Sequence, residues 1–230
     1  MQPDVATLCH RLRKLPTAVM SDVLAAMGLH DRVLTHAIKP MEAGTIVAGP
    51  ALCLFGREGG EPTTKPKPVF QMDRHISQGC VAVIATGGHR KGAVIGGNVG
   101  VSFRKRGCSG IVTDGGIRDA VEFHEMGLPI FATFVTSLSN KGLWAFSEVD
   151  VPAELPGQGG ANVTIYKDDL IHGDRDGVVV IPRKHAALAV TYAEVVEQVE
   201  TRIKQRLQAG EDREAAYAAN DRFGHIRPIA

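Results

Sequence analysis

Aromatic residues are scarce in this sequence: tryptophan occurs once, and Phe, Trp and Tyr together make up 5%. The lone Trp144 offers no platform on which bases could stack. An excess of one charge is also lacking. Against 26 Lys and Arg stand 25 Asp and Glu, and the basic residues are dispersed, which argues against a nucleic-acid surface. No apolar run reaches the roughly 18 residues that would span a bilayer. The N-terminal stretch MQPDVATLCHRLRKL carries charges throughout, so no signal peptide is expected. Cys9, Cys53, Cys80 and Cys108 form no CxxC pair, and three of them sit in apolar, strand-like surroundings. Reduced, buried thiols and a cytoplasmic location are therefore expected, not a zinc centre or disulfides. Neither GxGxxG nor a Walker GK[ST] occurs, so no nucleotide fingerprint is supported.

What is present suits one good-sized α/β domain: 230 residues, 44% hydrophobic and 22% charged. Leu8 to Met27 reads as a helix, with Thr17 as a possible cap of its main segment and Gly28 as its end. A strand follows within 44–55, and then GREGGEPTTKPKP reads as a surface loop. Val69 to Gly79 looks helical. From there CVAVIATGG, NVGVSFRKRG, SGIVTDGG, AVEFHEMG and LPIFATFVT alternate strand, helix, strand, helix, strand, which predicts a largely parallel sheet. Short strands joined by turns come next, with GDRDG as the turn before VVVIP. A long amphipathic helix over 183–208 and a polar tail close the chain. The organisation expected is one domain over 1–182 with a C-terminal helical extension over 183–230.

In a parallel sheet, ligands bind beyond the carboxyl ends of the strands. Two loops there hold the candidates. In TGGHRKGAVIGGNVG, Gly96 and Gly97 before a helix would let backbone N–H groups approach an anion; the bland alternative is a turn whose glycines relieve positive φ. In TDGGIRD, Asp119 with Glu122 three residues on spells a D-x-x-E capping box, which would use both carboxylates at one helix start. Arg118 is harder to explain structurally, and its guanidinium fork suits a small organic acid. Asp119 and Glu122 on one helix face also suit Mg²⁺, which takes oxygen ligands and keeps most of its waters. The histidines are weaker: His89 and His124 lack partners at metal spacing, and His10, His30 and His36 are scattered. The aspartates of HGDRDG are explained by a turn into a strand.

Four segments, SDVLAAMGL, IKPMEAGTIVAGPALCL, RGCSGIVTDGGIRDAVEFHEMGLPIFA and GDRDGVVVIP, together resemble the family that contains the RNase E inhibitor RraA and the 4-hydroxy-4-methyl-2-oxoglutarate/4-carboxy-4-hydroxy-2-oxoadipate aldolases. The resemblance implies an RraA-like swivelling β/β/α fold. Active aldolases of the family carry an acid twenty-one positions before Arg-Asp, where this chain has Gly97. A subgroup with Gly-x20-Arg-Asp-x2-Glu/Asp is matched here by Gly97, Arg118, Asp119 and Glu122. By that resemblance Arg118 and Asp119 are catalytic, and Arg118 binds the carboxylate and keto oxygen of a 2-keto acid. Gly96, Gly97 and the amides around Asn98 and Val99 would cradle its carboxylate. Asp119, supported by Glu122, would hold Mg²⁺, Mn²⁺ or another divalent cation. A homotrimer or homohexamer with sites between subunits is implied, joined by a carboxylate of the neighbour's C-terminal helix: Glu194, Glu197 or Glu200. The implied activity is a class II pyruvate aldolase and oxaloacetate decarboxylase. The strands offer no lysine for Schiff-base chemistry. The alternatives are a non-catalytic RraA-type protein acting on a ribonuclease, or a lyase of the same fold on another substrate.

Overall fold

The computed structural model describes residues 4–59 and 68–229; most of the expected GREGGEPTTKPKP loop lies outside them. Helices α1 (Val5–Leu12) and α2 (Thr17–Ala26) come first, then strands β1 (Lys39–Pro40) and β2 (Val47–Glu58) and helix α3 (Pro68–Met72). Next are β3 (Val81–Ala85), β4 (Ala93–Ile95), α4 (Gly97–Lys105), β5 (Gly110–Thr113), β6 (Gly116–Ile117) and α5 (Ala120–Glu125). Then follow β7 (Ile130–Ala132), β8 (Phe134–Val135), β9 (Trp144–Val149), β10 (Ala153–Pro156), β11 (Asn162–Ile165), β12 (Leu170–Asp174) and β13 (Gly177–Ile181). Helices α6 (Ala186–Gln208) and α7 (Arg213–Ala218) end the chain.

VAVIA and GIVT are apolar runs without alternation, as strands covered on both faces must be. They form the middle of the main sheet, ordered β1-β7-β5-β3-β2-β12-β13. The β2-β3-β5-β7 portion is parallel, and the outer pairings are antiparallel. One face packs on α4 and α5 through Ile84, Ile111, Phe103 and Phe123. The other packs on the β10–β11 hairpin through Val83, Phe131, Leu155 and Ile165. A third cluster joins α1, α2 and α6 to β12 and β13. The turn at GDRDG is where it was expected, pairing Asp174 with Gly177.

Several elements differ from expectation. The N-terminal helix is two helices broken before Pro16, which has no N–H to donate and disfavours helical backbone at Leu15. Thr17 does not cap its helix with its own oxygen. Its N–H and hydroxyl instead donate to Asp174 at 2.8 and 2.7 Å, so the cap acceptor comes from the β12–β13 hairpin. Helix α3 stops at Met72 and gives way to turns, well short of Gly79. LPIFATFVT splits at Thr133 into β7 and β8, which belong to different sheets. The polar tail folds back: Phe223, Ile226 and Ile229 pack on the α1–α2–α6 cluster, and Ile229 N–H donates to Met27 O at 3.0 Å. All four cysteines are free and buried.

Candidate active site

The site grows out of a second, small parallel sheet ordered β4-β6-β8. Strands β4 and β6 pair as Ala93↔Gly116 and Ile95↔Ile117, so both end at the same level. Each is followed at once by a helix. Gly96–Gly97 opens α4 and Arg118–Asp119 opens α5, which lays the two loops singled out in the sequence side by side. A backbone bond from Arg118 N–H to Ile95 O, 3.1 Å, ties them together.

The expected capping box does not form. Asp119 adopts left-handed backbone (φ 58°, ψ 39°), and its side chain accepts nothing from its own helix. Its Oδ2 accepts the Gly97 N–H at 2.9 Å, capping the neighbouring helix α4 at its first residue. The same oxygen lies 3.5 Å from Arg118 Nε. A left-handed turn at a non-glycine residue costs on the order of 1 kcal/mol. Here it swings the carboxylate across the gap between the strands, where the positive end of α4 offsets part of that cost.

The glycines serve close approach and not left-handed backbone. Gly96 has φ −146°, and a Cβ there would lie 2.6 Å from Asp119 Oδ2 and 2.9 Å from Arg118 Nε. A Cβ on Gly97 would overlap the Glu122 carboxylate, and one on Gly100 the Phe123 ring. The Glu122 carboxylate therefore fills the space into which a side chain at 97 would project. This is the position where the resemblance places an acid in the active aldolases. Of the first amides of α4, Gly97's goes to Asp119 and Val99's to Gly96 O at 3.1 Å. That leaves Asn98 N–H without an acceptor among the described residues.

The site is open, with the Arg118 and Asp119 side chains 43% and 38% exposed. As for a metal, among the described residues no three His, Cys, Asp or Glu side chains converge on one point. The donors present are Asp119's second oxygen and the Glu122 carboxylate. They suit a hydrated oxygen-seeking ion held by one or two carboxylates, and do not suit a fully ligated centre. On α6, Glu194 is held by Arg11 through two 2.7 Å bonds and Glu200 by Arg222. Among the described residues Glu197 has no cationic partner, and its Oε2 is buried without a donor.

The histidines have local explanations. His89 is fully buried; its Nε2 accepts the Gly92 N–H at 3.1 Å, so Nδ1 carries the proton and donates to Glu58 at 3.1 Å. His124 is exposed and pairs with Glu42 at 2.6 Å, which raises its pKa. A buried acid was overlooked in the sequence: Asp114, 5% exposed at the carboxyl end of β5. Its signal was an Asp placed directly between an apolar strand and two glycines.

The RraA-like family model, described as Aldolase/RraA, matches residues 17–180. The chain belongs to the RraA-like family. It is 33% identical over 173 residues to a Halalkalibacterium halodurans protein named "Putative 4-hydroxy-4-methyl-2-oxoglutarate aldolase", covering 75% of each chain. A Burkholderia multivorans protein of the same name is 34% identical over 161 residues, covering 69% of this chain and 88% of the relative. Among solved structures, an uncharacterized Pseudomonas syringae protein superposes with TM-score 0.82 at 28% identity, covering 94% of this chain and 95% of that one. RraAS2 from Streptomyces coelicolor, described as an unusual member of the RNase ES inhibitor RraA family, gives 0.75 at 27%, covering 89% and 100%. The mixed α/β fold with a mostly parallel central sheet and C-terminal helix is thus the family's. Among the described residues no helix is long and apolar enough to cross a membrane.

Proposed function

We propose that the protein is a divalent-metal-dependent lyase that cleaves a C–C bond of a 2-keto acid. The reaction would be retro-aldol cleavage of a 4-hydroxy-2-oxo acid to pyruvate and a second carbonyl compound, decarboxylation of oxaloacetate, or both. The names of the relatives support a lyase. The observation that carries the reading for this chain is the Glu122 carboxylate lying over Gly97, beside Asp119 and Arg118. Two acids and a guanidinium thus meet at paired strand ends although the acid at 97 is missing.

Asp119 and Glu122 would hold Mg²⁺ or Mn²⁺. When bound, the ion supplies Lewis-acid stabilisation of the negative charge that develops on the keto oxygen as the C3–C4 bond breaks. Arg118 binds the substrate carboxylate with its fork, and Asn98 N–H is the backbone donor free to assist. Asp119 keeps one oxygen on Gly97 N–H, which fixes the orientation of the other. Glu122 would take the 4-hydroxyl proton directly or through a water. In a trimer or hexamer, Glu197 is the C-terminal glutamate that no arginine among the described residues holds, and so the one we assign to a neighbour's site.

The test is pyruvate release from a panel of 4-hydroxy-2-oxo acids and from oxaloacetate, with Mg²⁺ and after EDTA. The expected result is metal-dependent turnover that Arg118→Ala lowers at least about 100-fold. Turnover that survives EDTA, or trapping of pyruvate on the protein by borohydride, would sink the metal-dependent reading. Absence of turnover on every substrate would favour a second reading, a non-catalytic binding protein, for which the likeness to the Streptomyces RNase ES inhibitor family member speaks.

A further inference from the structure

A cavity of about 520 Å³ opens at the carboxyl ends of β3 and β5, and neither Arg118 nor Asp119 is among its lining residues. Gly87 and Gly88, which follow β3, and Asp114, which follows β5, form its inner wall. Glu148 of β9 and Glu154 and Asn162 of the β10–β11 hairpin form the outer one. The proposed reaction uses none of these residues, and the loop after β3 begins the TGGHRKG stretch that the reaction also leaves unexplained.

Asp114 is the unusual member. It is 5% exposed, and one carboxylate oxygen accepts the Thr86 N–H at 2.8 Å. The Thr86 hydroxyl and Asp114's own N–H also favour the charged carboxyl, and its second oxygen accepts no further hydrogen bond among the described residues. Burial pushes its pKa up. The surroundings hold it there firmly. Trp144 Nε1 donates to Thr86 O at 2.9 Å, and the Thr133 hydroxyl donates to the carbonyls of Asp114 and Gly115 at 3.1 and 2.8 Å. A rigid frame that keeps a half-satisfied acid on a cavity wall is what a preformed polar contact requires.

The lining chemistry selects the ligand. Among the described residues the cavity is lined by three carboxylates and no Lys, Arg or His, and the Arg90 charge nearby favours the ionised form of Asp114. Glu148 is already paired with Arg57 at 2.6 Å, whereas Glu154 has only a long 3.5 Å contact from Asn162. No three of these acids converge on one point, so the arrangement does not fit a fully ligated metal centre. Phe55, Val151 and Pro152 add an apolar floor, and the Phe55 ring presents a face to cations, with the Arg57 guanidinium 5.9 Å from its centroid. We infer that this cavity is a second binding site, separate from Arg118 and Asp119, for a small ammonium-bearing molecule. Its hydrocarbon stem lies on Phe55, and its N–H groups reach the free oxygen of Asp114 and the Glu154 carboxylate.

The test titrates the full-length protein by calorimetry with n-butylamine, n-butanol and n-butyrate, which share one stem and differ in the head group, and separately with MgCl₂. The amine should bind at least tenfold more tightly than the alcohol, and butyrate should not bind. Asp114→Asn keeps the acceptor for Thr86 N–H but loses the charge, and Glu154→Gln changes an exposed side chain. Each should weaken butylamine binding about tenfold or more. Arg118→Ala should leave it unchanged, which separates this site from the proposed catalytic one. The inference is overturned if the amine binds no better than butanol, or if both variants, shown folded by thermal melts, bind it like wild type. It is also overturned if Mg²⁺ alone binds in a manner that Glu154→Gln abolishes.

Discussion

Two regions of the molecule treat charge in opposite ways. In the α1–α2–α6 layer charged groups that reach inward are matched within the chain, Arg11 by Glu194, Arg222 by Glu200 and the start of α2 by Asp174, with the Glu197 carboxylate as an exception. At the β4–β6 strand ends, Arg118, Asp119 and Glu122 crowd over Gly96 and Gly97, and among the described residues the ion pair there is a loose 3.5 Å contact between neighbours in sequence. The first region is built for stability. The second seats two acids over neighbouring glycines at the expense of a left-handed aspartate, local strain of the kind the proposed ligand site would use.

The contrast is sharpest at the glycine seam between α4 and α5. Gly100 lies inside α4, where glycine is destabilising relative to alanine by roughly 0.5–1 kcal/mol, yet the Phe123 ring occupies the space of its missing Cβ. Gly100→Leu should therefore destabilise by about 3 kcal/mol, the upper range for overpacking, when measured by urea denaturation. An effect under about 1 kcal/mol would mean that the two helices are free to separate, and that the seam does not set the position of Glu122.

Charge can be removed from the site without disturbing that seam. Asparagine tolerates left-handed backbone as well as aspartate does and still accepts the Gly97 N–H. Asp119→Asn should thus lower turnover about 100-fold while the melting temperature stays within a few degrees of wild type. In the helical layer the reverse is expected. Asp174→Ala strips two hydrogen bonds from Thr17 and should lower stability by about 1–2 kcal/mol, with turnover per folded molecule unchanged. Should Asp174→Ala also reduce turnover, the division into a stabilising and a functional region would fail.

How far these regions were legible in the sequence follows from the range of the forces involved. VAVIA and GIVT announce themselves as covered strands because burial on both faces leaves an unbroken apolar run. The long α6 is equally plain, with Ala189, Val190, Ala193 and Val196 at helical spacing. The two- and three-residue strands of the β4-β6-β8 sheet are not, since Gly116–Ile117 becomes a strand only by pairing on both sides. Arg118, Asp119 and Glu122 do lie against Gly96 and Gly97, but the capping box read from Asp119 and Glu122 does not form. D-x-x-E spells a capping box only if Asp119 enters its helix through extended backbone, and φ is invisible in a residue name. Thr17 was misread for a similar reason: its partner lies 157 positions away. Asp114 was passed over because a carboxylate at a strand end is ordinary until its burial is known.

The smallest expected effect tests the stabilising region by pH. His172 is fully buried on β12, with Nε2 2.9 Å from Leu15 O and Nδ1 3.3 Å from Val47 O. Burial lowers its pKa, and the two carbonyls and Asp174 only partly oppose that. The folded state therefore resists protonation more than the unfolded chain does. The stability this contributes is complete above the unfolded pKa, near 6.5, and is lost as pH falls from there toward the lower folded value. One proton accounts for at most about 1.4 kcal/mol per pH unit. His124 works in the opposite direction, because Glu42 raises its pKa and its contribution is lost as pH rises. Comparison with a variant is therefore needed to isolate His172. Urea denaturation of wild type and His172→Gln between pH 7.5 and 5.5 should give a less stable variant whose stability declines less steeply over that window. Parallel slopes would show that the buried ring does not couple to folding, and that this region is insensitive to mild acid.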